Sequence, residues 1–320
     1  MARIESLSLL TTDDAKLYLT ELYGNVIANV MRSLTSARMK NKDLSGDPRS
    51  GSVVAKRFAN ATPKDYGTAR AAGNGEKIKA EEVVVMIDDD KEFVEEIEEK
   101  DIKLGGVDGL MSRRSSNHVL RMAAYLDTKF YKCAADNATK IEVDLAAGAV
   151  EEVLESCIQE VENTKNAFVD GVPRQMIHMV LNSTWYGKIR NSLDKQVRSN
   201  VDTGDEEFYV WHGVEVVSSI NLPAGCPFIL MVDGAVAQPV MSDQYTAEKI
   251  PLSNAWAISL FYHNGTSVVT PDLIFTPVQS GAEKGSAAKY RNVQTGNILH
   301  VSNALTKKLV SKSTQYTTVA

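Results

Sequence analysis

The sequence is poor in residues that staple a chain, hold a metal or act as nucleophiles. Its three cysteines, Cys133, Cys157 and Cys226, stand far apart with no CxxC pair. That spacing gives neither a disulfide framework nor a cysteine zinc site, and it fits a reducing origin. The five histidines, His118, His178, His212, His263 and His300, show no ligand spacing. No HExxH, GxSxG or GxxxxGK[ST] run occurs, and the glycines of GNGEK and GAEKGSAAK lack the spacing of a phosphate loop. No apolar run approaches the roughly 20 residues needed to span a bilayer. The first residues reach Asp13 and Asp14 before any sustained apolar stretch, so no signal peptide is expected and no membrane partner. A net charge of -6 argues against a chain built as a whole to wrap nucleic acid.

What is present reads as a folded protein of one large or two modest domains, 43% hydrophobic and 24% charged over 320 residues. Helical spacing marks three segments: 14–35, 109–135 (Val119, Met122, Ala123, Leu126, Phe130, Cys133) and about 148–168 (Val150, Val153, Leu154, Cys157, Ile158, Val161). A further short helix fits 183–192. SVVAKRFA, EEVVVMID, RQMIHMVL, EEFYVWHGVEVVSS, CPFILMVDG, WAISLFYH and VVTPDLIFTP read as strands. His212 then lies in a strand, packed beside Trp211. The tail 278–320 is polar and weakly patterned.

Charge switches abruptly early in the chain. From Arg38 to Lys79 there are ten Lys/Arg against four Asp/Glu, and from Glu81 to Asp101 eleven Asp/Glu against two Lys. The first two strands are joined by about 20 polar residues, ATPKDYGTARAAGNGEKIK, too long for a tight hairpin. Such a loop is either a disordered, solvated charged segment or an extended arm that finds its partner outside its own subunit, docking on a neighbour's carboxylates or on nucleic acid with Phe58 and Tyr66 as stacking groups. Lys56, Arg57, Lys64, Tyr66 and Arg70 are its candidate contact residues, with Phe58 as a further aromatic. In the acidic half, Asp88, Asp90, Glu92, Glu96 and Glu99 fall on positions 1, 3, 5, 9 and 12 of a calcium loop, but Phe93 occupies the position that needs glycine. Asp89 with Glu92 instead suits a capping box, and Phe93, Val94 and Ile97 an apolar stripe. A capped helix is therefore expected, whose outer face offers Glu92, Glu95, Glu96, Glu98 and Glu99 to a neighbour's basic loop. No metal, cofactor or catalytic residue is assigned.

In their order along nearly the whole chain these segments resemble the major capsid proteins of tailed bacteriophages with the Hong-Kong-97-like fold. LSGDPRSGSVVAKRFANATPKDYGTAR resembles the ascending strand of that family's extended loop, and GEKIKAEEVVVMIDDDKEFVEEIEEKD the descending strand. GGVDGLMSRRSSNHVLRMAAYLDTKFYKCAA resembles its long spine helix. The resemblance implies an α+β fold with an N-terminal arm (1–45), an extended β loop (46–88) and a peripheral domain (89–169) in which the helix at 148–168 lies beside the spine. It further implies an axial domain (170–262), a return to the peripheral domain (263–277) and a C-terminal extension (278–320). It implies a self-assembling subunit, not an enzyme, that forms pentamers and hexamers in a virion assembled in the host bacterial cytoplasm. Its partners would be itself, portal and scaffolding proteins, and packaged DNA held by non-specific contact. The alternatives are a nanocompartment shell subunit with an enzyme cargo and, from the acidic cluster, a soluble metal-binding enzyme.

Overall fold

A computed structural model describes residues 26, 29–30, 34–67, 75–98, 107–145, 150–195, 210–242, 246–279, 289–292, 298–300 and 316–317. The helix expected over 14–35 is described only at Val26, Asn29 and Val30, which are helical. In chain order the strands begin with β1 (Leu44–Ser45), β2 (Ser52–Phe58), β3 (Ala80–Met86) and β4 (Asp89–Glu98). Then come α1 (Val107–Asn137), β5 (Thr139–Val143), α2 (Val150–Glu162), β6 (Ile177–Leu181) and α3 (Ser183–Lys195). They are followed by β7 (Val210–Trp211), β8 (Val214–Ser218), β9 (Phe228–Val232), β10 (Val236–Ala237), β11 (Val240–Ser242) and β12 (Thr246–Lys249). Last are β13 (Ala255–Asn264), β14 (Ser267–Val268), β15 (Ile274–Gln279), β16 (Lys289–Asn292), β17 (Ile298–His300) and β18 (Tyr316–Thr317).

The chain divides into two interleaved units, residues 1–134 with 233–270 and residues 135–232 with 271–320. In the first unit α1 buries Val119, Met122, Ala123 and Leu126 against Ile97 of β4 and Trp256, Ile258, Leu260 and Tyr262 of β13, with Val26, Val30 and Leu34 completing the core. The helix periodicity read from the sequence is the periodicity that is buried. Asp127 turns to the opposite purpose. Its buried carboxylate accepts from Thr35 N and Oγ1 (3.0 and 2.8 Å) and from Ser36 N and Oγ (3.2 and 2.6 Å), holding the turn after the N-terminal helix. Four donors on one buried carboxylate offset its desolvation.

β4 corrects the expected capped helix. It pairs antiparallel with β13 over ten residues, Asp89 opposite Asn264 through Glu98 opposite Ala255. Burial alternates along it: Asp89, Phe93, Glu95 and Ile97 turn inward, while Asp90, Glu92, Val94, Glu96 and Glu98 are exposed. Glutamate's helix preference is worth tenths of a kcal/mol per residue, and a ten-residue ladder that sets Ile97 and Phe93 against the core outweighs it.

β2 and β3 form the expected ribbon, antiparallel from Ser52 opposite Met86 to Phe58 opposite Ala80. Its root is packed: Val53, Ala55 and Val85 join Ala237 and Val269. Gly265 permits this approach, because a Cβ there would overlap the Met86 carbonyl oxygen.

The second unit holds a six-stranded mixed sheet, β5-β15-β9-β6-β8-β7. One face is covered by α2 (Leu154, Cys157, Ile158, Val161) and α3 (Trp185, Ile189), which pack on Ile177, Met179, Leu181, Val214, Phe228 and Leu230. One expectation changes here. The helix expected to 168 ends at Glu162, where Gly171 N donates to Thr164 O and Val172 N to Glu162 O. It packs in this sheet's core. β15 lies in this sheet between β5 and β9, while β13 pairs with β4 in the first unit.

The strand expected across WHGV is a hairpin. His212 (φ 49°) and Gly213 (φ 86°) take the two left-handed positions of the turn between β7 and β8. His212 stacks on Trp211 at 3.8 Å and its Nδ1 lies 2.9 Å from Glu155 Oε2. Arg174 joins the cluster, donating to Glu155, Glu162 and the His212 carbonyl. The Arg174 guanidinium, aided by His212, holds the Glu155 carboxyl down at about 2.

The first unit carries two tests of stability. Gly265→Ala forces the ribbon root off β13 and is expected to cost about 3 kcal/mol or more, read as a lowered urea midpoint. Lys40 Nζ is fully buried without a hydrogen-bond partner among the described residues, and burial, opposed by the Asp127 charge, pushes its pKa from 10.5 to about 8. The folded state therefore bears an uncompensated desolvation cost below about pH 8, relieved as pH rises toward 10.5. Lys40→Met is expected to stabilise by about 1–3 kcal/mol at pH 7, with the gain shrinking at pH 10 in parallel thermal melts.

Candidate assembly surfaces

The β2–β3 ribbon has two unlike faces, because directly opposed residues share a side. Val53 with Val85 and Ala55 with Val83 face the packed root. The other side carries Val54 opposite Val84, Ser52 opposite Met86, Lys56 opposite Glu82 and Phe58 opposite Ala80. There Met86 is 57% and Val84 56% exposed beside Val54, and Phe58, 59% exposed, lies beyond the Lys56–Glu82 pair. Isolated exposed apolar residues mean little, but the adjoining Val54, Val84 and Met86 form an apolar strip of the kind a partner would cover. The limbs stay together past the strands, through Ala59 N to Lys79 O (2.9 Å) and Thr62 N to Glu76 Oε2 (2.8 Å).

The basic candidates fall on this ribbon and beyond it. Lys56 is held by Glu82 of the same ribbon at 2.9 Å, and half-buried Arg57 sits opposite Glu81. Both are thus within reach of intrachain acids, which the count of charges along the sequence could not reveal. Lys64 and Tyr66 are exposed on the segment leaving β2, Tyr66 at 91%. Arg70 lies outside the described residues, as does Glu99.

The acidic candidates separate by parity. Glu95 points inward and is no outer-face contact: it accepts from Arg114 Nε at 2.7 Å and from Arg114 Nη2, and lies 3.4 Å from His118 Nε2. His118 is buried and stacks on Phe93 at 4.7 Å. The Arg114 bonds hold the Glu95 carboxyl below its ordinary range. Glu92, Glu96 and Glu98 point outward with Asp90, whose Oδ1 lies 2.6 Å from His263 Nδ1. Glu248 of β12 stands opposite Ala257, itself opposite Glu96, on the same side. Outward carboxylates two residues apart are about 7 Å apart, inside the roughly 8 Å screening length at physiological salt. They act as one anionic surface.

Further inward, Asp89 accepts from Tyr125 OH at 2.5 Å and pairs with Lys91 (3.1 Å) and Lys129 (3.5 Å). The calcium-loop register read from Asp88 to Glu99 is thus mostly an extended strand with side chains on two faces. Among the described residues no group of three His, Cys, Asp or Glu is placed to hold a metal, and no helix is long and apolar enough to cross a membrane. Sequence reasoning missed the outward Val54, Val84 and Met86. The parity that exposes them is hidden in the unbroken apolar run VVVM and appears only once β2 fixes the register.

No protein-family model and no curated protein matches the sequence. Solved structures do. One from Mycobacterium phage Che8 is 19% identical with a TM-score of 0.53, covering 71% of this chain and 84% of that one. The capsid structure of the cyanophage P-SCSP1u is 16% identical with a TM-score of 0.54, covering 76% and 86%. A virus-like particle from Pyrococcus furiosus is 12% identical with a TM-score of 0.51, covering 82% and 98%. The chain has the α+β Hong-Kong-97-like fold that its sequence resembles.

Glu95→Lys sets an ammonium against Arg114 and His118 and is expected to destabilise by about 1–3 kcal/mol in chemical unfolding. The native Glu95 contribution is complete above its ordinary pKa of 4.5 and is lost as pH falls below it, so wild type and Glu95→Gln converge in stability under acid titration.

Proposed function

From this fold, we propose that the chain is the repeating subunit of an icosahedral shell, a bacteriophage major capsid protein assembled from pentamers and hexamers. The observation that carries the reading is likeness over most of the chain: 71–82% of this chain aligns with 84–98% of chains from a phage, a phage capsid and a virus-like particle. The ribbon supports it, since a two-stranded arm with an exposed apolar strip gains little within its own subunit. Ordering each residue costs roughly 1–2 kcal/mol, and covering the strip with a second copy offsets that. Closed symmetry then multiplies modest contacts into a stable shell.

The unit bearing α1, β4 and the ribbon corresponds in this reading to the peripheral domain and extended loop, and the six-stranded unit to the axial domain. Function is spread over interfaces, with no catalytic centre. Portal, scaffold and packaged genome are the partners such a shell requires, and the virion is its site of action. A nanocompartment subunit shares the closed shell, but phage structures among the likenesses favour the genome-enclosing reading.

Electron microscopy and sedimentation of the purified chain, with and without a co-expressed scaffolding partner, test this. Closed shells are expected, and only small monodisperse species under every condition would overturn it. Docking of a neighbour's basic loop on the outer carboxylates is tested by Glu92→Lys, Glu96→Lys and Glu98→Lys together. The triple variant is expected to keep the wild-type melting temperature within a few degrees and to lose most shell yield, because these side chains are exposed. Shells at normal yield would remove the electrostatic docking idea.

A further inference from the structure

Charge in the first unit is sorted by surface, although it is mixed along the chain. The outward side of the β4–β13–β12 sheet carries Asp90, Glu92, Glu96, Glu98 and Glu248, and among its described residues no lysine or arginine. On α1 cations prevail. Its exposed side chains include Arg114, Arg121, Lys129 and Lys132 against one described exposed carboxylate, Asp136 near the C-terminus, while Asp127 is buried by Thr35 and Ser36. An ordinary solvated helix face mixes Glu and Lys at three- and four-residue steps. Here the steps of seven and eleven residues from Arg114 to Arg121 and from Arg121 to Lys132 put three cations on one stripe.

These cations differ in how far they are already neutralised. Arg114 is engaged by Glu95. Lys129 shares the single Asp89 carboxylate with Lys91, and both ammoniums lie against the Tyr125 ring at 5.5 and 5.4 Å. Arg121 and Lys132 have no ion pair among the described residues. Three cationic side chains are thus available over roughly 16 Å of helix, with a net of about two positive charges once Asp136, four residues after Lys132, is set against them, on a chain whose net charge is -6.

We propose that the exposed stripe of α1, centred on Arg121, Lys129 and Lys132, binds the phosphodiester backbone of duplex nucleic acid without regard to sequence. This rests on the shell reading and deepens it: the stripe faces the enclosed genome and the acidic sheet side faces away. Charge complementarity selects the partner. A row of flexible cations on a straight helix matches regularly spaced phosphates, whereas reading base edges needs an Asn, Gln or Arg entering a groove at a fixed angle. Asn117, exposed four residues before Arg121, adds an amide donor for phosphate oxygens.

The test is fluorescence anisotropy of a 20-base-pair labelled duplex with the full-length protein at 50 and 200 mM salt. With about three phosphates neutralised, affinity is expected to fall about 40-fold across that range, and only three- to four-fold in Arg121→Gln/Lys132→Gln, which loses two contacts. Arg121→Glu/Lys132→Glu weakens binding further, a scrambled duplex binds equally, and Glu92→Lys/Glu96→Lys does not weaken binding. Circular dichroism melts confirm that each variant is folded. No duplex binding by the wild type, or binding unchanged in both stripe variants, overturns the proposal. So does a loss of shells with DNA binding intact, which would assign the stripe to the acidic face of a second copy. Failure of the shell reading shows separately, as absence of wild-type shells in the microscope.

Discussion

The ladder between β4 and β13 fixes most of what the first unit can do. Ten consecutive residue pairs set the parity of an acidic segment whose own spacing also suits a helix. Parity then decides which carboxylate meets solvent and which meets the core. Glu95 and Glu96 are neighbours in sequence with opposite fates. Glu95 anchors Arg114 and the buried His118, and Glu96 joins an outward anionic surface. A one-residue slip would exchange these roles and put Phe93 and Ile97 in water, so the apolar side chains enforce the register. Through that register the same ladder places Asp89 beneath Tyr125 and brings Lys91 and Lys129 together.

Much of the architecture was legible because its signals were local. The 3–4 stepping of Val119, Met122, Ala123, Leu126, Phe130 and Cys133 needs no tertiary information, and all but the half-buried Cys133 are among the residues α1 buries. The ribbon was legible because polar breakers frame two β-branched runs. β4 was not, because EFVEEIEE satisfies helical spacing and strand alternation alike. Its deciding partner lies about 160 residues away, as Val94 opposite Ser259 shows. The His212–Gly213 turn did leave a sign, a glycine in the middle of an apparent strand. Which core each helix joins left none: α2 and α1 have similar apolar stripes, and only the assembled sheets choose between them.

Candidate contact residues divide along the same line. Composition identified the charge switch, and the exposed Glu92, Glu96, Glu98, Lys64 and Tyr66 follow from it. Pairings within the chain were invisible to composition, so Lys56 and Glu95 looked as available as their neighbours. The cations of α1 were overlooked for a related reason. Spread from Arg114 to Lys132 in mixed sequence, they become one surface only when the helix turns Asp127, which lies among them, into the core.

The segregation also resolves a hazard inherent in β4. Among the described residues it pairs only with β13, whose other side is taken by β11 and β12, so β4 is a ten-residue edge strand. An edge of that length invites pairing with a second copy of itself, which would build an open array. Four outward carboxylates, Asp90, Glu92, Glu96 and Glu98, make that pairing repulsive, because antiparallel β4 strands would set acid near acid on the same side. Association must then proceed through surfaces of other chemistry, such as the apolar strip of the ribbon, whose geometry is set by its own packed root. On the proposed shell reading, an edge that refuses its twin is as necessary as a surface that accepts a neighbour.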